Sequence, residues 1–197
     1  MSERYPGYKV LGKWHSPSFD DVTRKVLARR LDAVPERRFL NVEEWELLEA
    51  LAALLIPQPE RAAAIPIVPW IDAMLADGDG SGSRRTGEPH DAEVWRTGLA
   101  AIENEARRRH GVRFTAIETP MREMLLREVQ SSVVSNGWTG VAPKRFLIEF
   151  VLKTMTGIYY SHPHAWSEIG FGGPASPRGY VRFQLDKHDP WEAEEAR

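Results

Sequence analysis

The stretch 41-NVEEWELLEALAALLIP-57 carries the clearest structural signal in the sequence, that of an amphipathic helix. Asn41 is a favourable N-cap, and Glu44 stands at the capping-box position three residues later. The apolar positions follow a helical period and comprise Trp45, Leu48, Ala52 and Leu55, widened by Leu47, Leu51 and Leu54. Such a broad apolar face predicts a central, well-buried helix. Pro57 and Pro59 end it, because proline cannot continue the helical hydrogen bonding.

The same apolar period predicts five further helices, at residues 20–31, 67–76, 91–111, 119–133 and 143–160. The apolar face of the first of these is expected to comprise Val22, Val26 and Leu27. That of the 119–133 helix is expected to comprise Met121, Met124, Leu125 and Val129. The basic run 107-RRR-109, followed by Gly111, is typical of a helix C-terminus rather than of a nucleic-acid patch. No alternating run predicts a strand. The fold class is therefore all-α, a single domain of about six helices.

Both ends of the chain differ in composition from this helical domain. We predict an N-terminal arm at 1–19, the helical domain at 20–160 and an extended C-terminal docking segment at 161–197. Within the last, 166-WSEIGFGGPASPRGYVR-182 combines Gly, Pro and three aromatic residues. Glycine permits close backbone approach and proline fixes φ, so such a segment can be ordered without being helical. It either covers its own core or docks a partner through aromatic and Arg anchors.

Composition excludes several classes of function. The 197 residues carry a net charge of −2, which provides no basic field for nucleic acid or an anionic membrane. No apolar run approaches the length of about 18 residues needed to insert into a membrane. The sequence has no cysteine, so disulfides and thiolate chemistry are excluded. Neither a nucleophile motif nor a phosphate or dinucleotide loop is present, which favours a binding or accessory role.

Two stretches of the sequence contain candidate metal ligands. His162 and His164 flank Pro163, with Glu168 beyond and His188 downstream, and such residues can bind zinc or iron. A metal-dependent enzyme using His162, His164 and Glu168 is therefore the alternative function. The structural interpretation is that His162 hydrogen-bonds the turn after the helix while His164 is exposed.

The second candidate is the loop 77-DGDGSGSRRTGE-88, which has potential calcium ligands at positions 1, 3, 5 and 12, namely Asp77, Asp79, Ser81 and Glu88. Arg84 and Arg85 would repel the ion. We therefore favour a Gly/Ser loop with solvated acidic groups.

The run 159-YYSHPHAWSEIGFGGPASPRGY-180 resembles the C-terminal signature of the gluconate 2-dehydrogenase subunit 3 family. Earlier segments are also similar to that family: 45-WELLEALAALLIPQ-58, 67-IVPWIDAML-75 and 95-WRTGLAAIENEA-106. Residues 5–26 resemble members that lack an export signal.

The resemblance implies a non-catalytic small subunit in a hetero-oligomer with a large oxidoreductase subunit of the glucose–methanol–choline type. FAD and the catalytic His residues would belong to that partner, which oxidises a sugar, glycoside or alcohol, and this chain would hold no cofactor. No N-terminal apolar run follows MSERYPGYK, so a cytoplasmic complex is expected. The expected interface comprises Tyr160, His162, Trp166, Glu168, Phe171, Pro174, Pro177, Arg178 and Tyr180.

Overall fold

A computed structural model describes residues 4–59, 61, 63–80, 86–135, 137–174 and 193–196. Its helices are α1 (Asp21–Asp32), α2 (Val42–Leu55), α3 (Ile67–Ala76), α4 (Asp91–His110), α5 (Thr119–Gln130), α6 (Pro143–Arg145, the π-helical Phe146–Leu152 and Lys153–Ser161) and α7 (Pro163–Glu168). Short 3₁₀ turns occupy Val10–Lys13 and Phe114–Ala116. The described ranges contain no strand, so the all-α prediction is confirmed.

The sequence predicts no helix from residue 161 onward, and the structure corrects this prediction. Residues Pro163–Glu168 form the short helix α7. His162 is the N-cap of α7, and Pro163 occupies its first turn. Proline is favourable there because the N–H that it lacks would have no intrahelical partner. The apolar period is too short to detect in six residues, whereas the proline and its cap are visible in the sequence.

The chain divides into two compact units whose boundaries differ from the three predicted segments. The terminal unit contains the chain up to Val34 and again from Ile158 onward, and the central unit contains Pro35–Gly157. The described part of the predicted arm therefore belongs to one unit with α1, α7 and the glycine-rich stretch after α7. The boundary between Gly157 and Ile158 falls within the last segment of α6.

In the central unit, the predicted start of α2 is confirmed. The Asn41 side chain accepts the Glu44 N–H at 2.8 Å, and the Glu44 carboxylate accepts the Asn41 N–H at 2.9 Å. Two of the N–H groups that an isolated helix start would leave without partners are thereby satisfied. The buried face of α2 consists of Leu47, Leu48, Leu51 and Ala52. The predicted stripe of α4 is also buried, with Trp95, Leu99, Ile102 and Ala106.

The predicted face of α5 is confirmed at Leu125 and Val129 and wrong at the two methionines. Met121 and Met124 are exposed, and the buried residues are Leu125, Leu126 and Val129. The apolar period of this helix allowed two overlapping faces, both of which include Leu125. Packing against the α6 segments selected the face that carries Leu126.

The predicted face of α1, in the terminal unit, is confirmed at Leu27 and wrong at the two valines. Val22 is 71% exposed and Val26 is largely exposed, whereas Leu27 is 2% exposed. Adjacent residues in a helix differ by about 100° around its axis, so burying Leu27 turns Val26 outward. Asp20 caps this helix, since its carboxylate accepts the Thr23 N–H at 2.7 Å.

Within the described ranges, no helix combines the length and apolar character required to cross a bilayer.

Candidate functional site in the terminal unit

The terminal unit is built around a small apolar cluster that we call the terminal core. Its buried members are Val10, Phe19, Leu27 and Trp166, with Tyr8, Leu11 and Trp14 packed against them. Trp166 is 6% exposed, and the other three are almost completely buried. We call residues 159–180, which are described up to Pro174, the signature segment. The predicted N-terminal arm, α1 and the signature segment therefore share one core. Burial of the large Trp166 side chain, together with that of Phe19, stabilises this small unit through the apolar area removed from water.

The α7 helix orients Trp166. The His162 ring nitrogen Nδ1 accepts the His164 N–H at 3.3 Å and so caps the helix. The Trp166 indole N–H donates to the Tyr160 carbonyl at 2.6 Å, which satisfies the polar edge of the buried ring. Phe171 then packs edge-on against Trp166, with ring centroids 5.4 Å apart. The aromatic pair is thus held in one geometry by α7 and its cap.

The glycines after α7 are required by the close approach of N-terminal aromatic rings. Gly170 has φ +67°, and a Cβ there would lie 2.8 Å from the Tyr5 ring. Gly173 has φ +83°, and its Cβ would lie 2.9 Å from the Phe19 ring. Both the left-handed backbone and the lack of space therefore demand glycine. Up to Pro174, the glycine-rich segment lies on the N-terminal part of its own chain.

Polar contacts join the same regions. The Val10 N–H donates to the Ser167 hydroxyl at 3.2 Å, and Arg30 on α1 donates to the Ser161 carbonyl. The Arg4 guanidinium pairs with Glu195 at 2.7 Å. These contacts hold the two ends of the chain together across long sequence separations.

The structure distributes the expected interface residues between the interior and the surface. His162 and Trp166 are buried, whereas Tyr160 and Phe171 are 44% and 43% exposed. Glu168 is exposed and accepts the Tyr159 hydroxyl at 2.7 Å. Pro174 is also exposed. The remaining expected residues, Pro177, Arg178 and Tyr180, lie outside the described residues.

Ile169 is exposed between α7 and Phe171, and the set of expected interface residues had missed it. The sequence itself indicates this position, because Ile169 is a large aliphatic residue within the signature segment. The described surface of the site therefore offers apolar side chains on a well-anchored backbone. This chemistry suits the docking of another protein better than acid–base catalysis.

The described residues do not assemble the alternative metal site. His162 caps α7 and His164 is exposed, as the structural interpretation predicted. No group of three or more His, Asp or Glu side chains suitable for a metal ion occurs in the described ranges. His188 lies outside them.

The acidic residues at the ends of the 77–88 loop are ion-paired rather than solvated. Asp77 pairs with Arg38 at 2.9 Å, and Glu88 forms a bidentate pair with Arg145 at 2.7 and 2.8 Å. Each arginine neutralises a carboxylate that calcium would have needed, so these pairs compete with ion binding. Residues 81–85 of the loop lie outside the described ranges.

The fold and the site together define an all-α protein whose described surface at the signature segment offers apolar contact. The family described as gluconate 2-dehydrogenase subunit 3 matches residues 42–173, more than half of the chain. The chain therefore belongs to that family. No curated protein and no solved structure matches the chain significantly. The matched range begins with α2 and ends at Gly173, so the arm and α1, which pack against the signature segment, precede it.

Proposed function

We propose that this chain is the non-catalytic small subunit of a heteromeric FAD-dependent oxidoreductase. It binds and stabilises a large subunit of the glucose–methanol–choline type, which holds the FAD and oxidises a sugar, glycoside or alcohol. The observation that carries the proposal is the family match over residues 42–173, because the family is by its description a dehydrogenase subunit.

The surface that best fits this role consists of Tyr160, Ile169 and Phe171, which we call the aromatic edge. All three side chains are large, apolar and exposed. Phe171 rests edge-on against the buried Trp166, and the Trp166 N–H is bonded to the Tyr160 carbonyl. Because the backbone is already ordered, docking on these side chains loses little conformational entropy. Exposed aromatic residues on a rigid support are typical of binding hot spots.

The proposal is tested by co-expressing the chain with a large flavoprotein of the glucose–methanol–choline type from the same genome and measuring the complex. We expect the two chains to co-purify with FAD bound to the large subunit. Phe171→Ala and Tyr160→Ala should each raise the Kd about tenfold, as the loss of a hot-spot side chain does. Val133→Ala serves as the control, since it shortens another exposed apolar side chain, in the central unit.

Two outcomes would contradict the proposal at different levels. If the wild-type chain does not bind the flavoprotein, the accessory role is wrong. If both edge variants bind as tightly as wild type and Val133→Ala, the role stands and the aromatic edge is not the interface. Melting temperatures of the isolated variants establish that a weaker complex does not reflect unfolding.

A further inference from the structure

The central unit has an open apolar groove of about 570 Å³ beside the C-terminal half of α2 and the start of α3. One part of its lining consists of Ala52, Ala53 and Ile56. The connection between the helices and the first turn of α3 contribute four prolines: Pro57, Pro59, Pro66 and Pro69. Its volume lies within the usual range of binding pockets, about 300–1,000 Å³.

Hydrogen bonds and prolines constrain the described backbone around the groove. The Gln58 side chain forms two hydrogen bonds with the backbone of Ile65. It accepts the Ile65 N–H at 2.8 Å and donates to the Ile65 carbonyl at 3.3 Å. The four prolines have fixed φ angles and no N–H groups to donate. An occupant can therefore pair with the main chain at those positions only as a donor to the proline carbonyls, which favours recognition through its side chains. A constrained groove also loses less entropy when it is filled than a flexible one does.

Among the described residues that line the groove, Glu49 is the one with an ionisable side chain. It has no ion-pair or hydrogen-bond partner among the described residues. Glu49 is exposed at the edge of the groove, and the loss of hydration beside the apolar lining raises the pKa of its carboxyl group. A cation brought by an occupant would offset that loss. The groove is thus complementary to an apolar group with a positive charge beside it.

We propose that this groove docks a segment of the large subunit in which an apolar side chain stands next to Lys or Arg. The inference rests on the proposed function and adds an interface on the central unit. A protein segment fits better than a small ligand, because small-ligand sites use several convergent polar groups for orientation. Among the described lining side chains, the Gln58 amide is occupied by Ile65, which leaves the Glu49 carboxylate at the rim.

The test compares Kd values for the large flavoprotein between wild type and two groove variants. Ala53→Arg fills the groove from an exposed helical position, and Glu49→Lys reverses its charge. Each should raise the Kd about tenfold or more, the loss expected when a buried anchor or charge pair is removed. The Glu49→Gln effect should be smaller, because the amide removes attraction without adding repulsion.

The matched controls are Ala100→Arg and Glu36→Lys, which make the same substitutions at exposed positions outside the groove. Both should bind within about twofold of wild type, as surface changes away from an interface do. Circular dichroism and melting temperatures establish that all variants are folded.

The outcomes separate the two proposals. If wild type does not bind the flavoprotein, the proposed function and this inference are both overturned. If wild type binds and Ala53→Arg and Glu49→Lys bind equally well, only the groove inference is wrong. If the isolated wild type is a dimer that Ala53→Arg dissociates, a second copy occupies the groove and the inference is again wrong.

Discussion

Glu105 on α4 is a buried carboxylate whose partners account for part of the basic run at the helix end. It pairs with Arg108 at 2.7 Å and Arg109 at 2.6 Å, and it accepts the Ser135 hydroxyl at 2.7 Å. Arg109 also donates to the Val133 carbonyl at 3.0 Å. The segment after α5 is thereby tied to α4 by charge-assisted hydrogen bonds.

These partners predict a specific dependence of stability on pH. They lower the pKa of Glu105 from 4.5 to about 2, chiefly through the hydrogen bond from Arg108. Between these two pKa values the unfolded chain binds a proton at Glu105 that the folded chain does not. The contribution of Glu105 to the free energy of unfolding is therefore fully present above pH 4.5 and is lost as the pH falls toward 2. Wild type should lose about 2 kcal/mol more than Glu105→Gln between roughly pH 5 and 2.5. Urea unfolding at several pH values measures this difference. Equal losses in the two proteins would refute the assignment.

Asp72 on α3 is fully buried and organises the chain that enters α2. Its carboxylate accepts the backbone N–H groups of Arg38 at 2.6 Å, Phe39 at 3.0 Å and Leu40 at 2.7 Å. Asp72→Ala would leave three donors without their partner and should lower the free energy of unfolding by about 3 kcal/mol or more. Denaturant unfolding measures this, with the exposed Asp32→Ala as control. Similar stability of the two variants would show that water replaces the carboxylate.

At the scale of elements, α4 and α6 meet at a glycine. A Cβ at Gly98 would lie 2.4 Å from the Phe146 ring, which packs edge-on against Trp95 with centroids 5.9 Å apart. The helices can approach this closely only because Gly98 has no side chain. Glycine in a helix costs about 1 kcal/mol relative to alanine, and the packing of Phe146 against α4 offsets this cost.

The chain provides a matched pair of variants for this contact. Gly98→Ala should destabilise the protein by about 1–3 kcal/mol through overpacking, despite the gain in helix propensity. Gly157→Ala, where a Cβ would meet nothing within 4 Å, should be neutral or stabilising. Adding Phe146→Leu should recover part of the loss in Gly98→Ala. Thermal and denaturant unfolding distinguish these outcomes. The packing argument would be wrong if the two alanine variants were equally stable.

At the scale of the whole molecule, the two chain ends share the terminal core. Phe19 contacts Gly173 and lies in the same cluster as Trp166, so the order of the signature segment depends on residues far away in sequence. If the aromatic edge binds the partner, the N-terminal part of the chain has an indirect role in presenting it.

Phe19→Ala tests this dependence. Removing the ring should increase amide hydrogen exchange in residues 163–174 by about tenfold or more, because local opening there becomes easier. Exchange in α2 should keep its wild-type rate. Lys9→Ala, at an exposed position of the arm, is the control. Unchanged exchange in 163–174 would show that the segment is ordered without the N-terminal contacts.

The sequence by itself determined the helices with strong local signals. Asn41 and Glu44 cap α2 through contacts three residues apart, and Gly111 ends α4 in the left-handed conformation with φ 72°. Such signals act within one helical turn, so no knowledge of the fold is needed to recognise them. The family signature is likewise a property of the sequence alone.

Only the tertiary structure decided which faces are buried and what the glycine-rich segment lies on. Leu27 is buried while Val22 is exposed, although the sequence predicts both on the apolar face of α1. The contact between Val10 and Ser167 joins residues 157 positions apart. The physical reason is that burial depends on the surfaces available after the chain has closed over such distances. Periodicity constrains the face of a helix without choosing its neighbour.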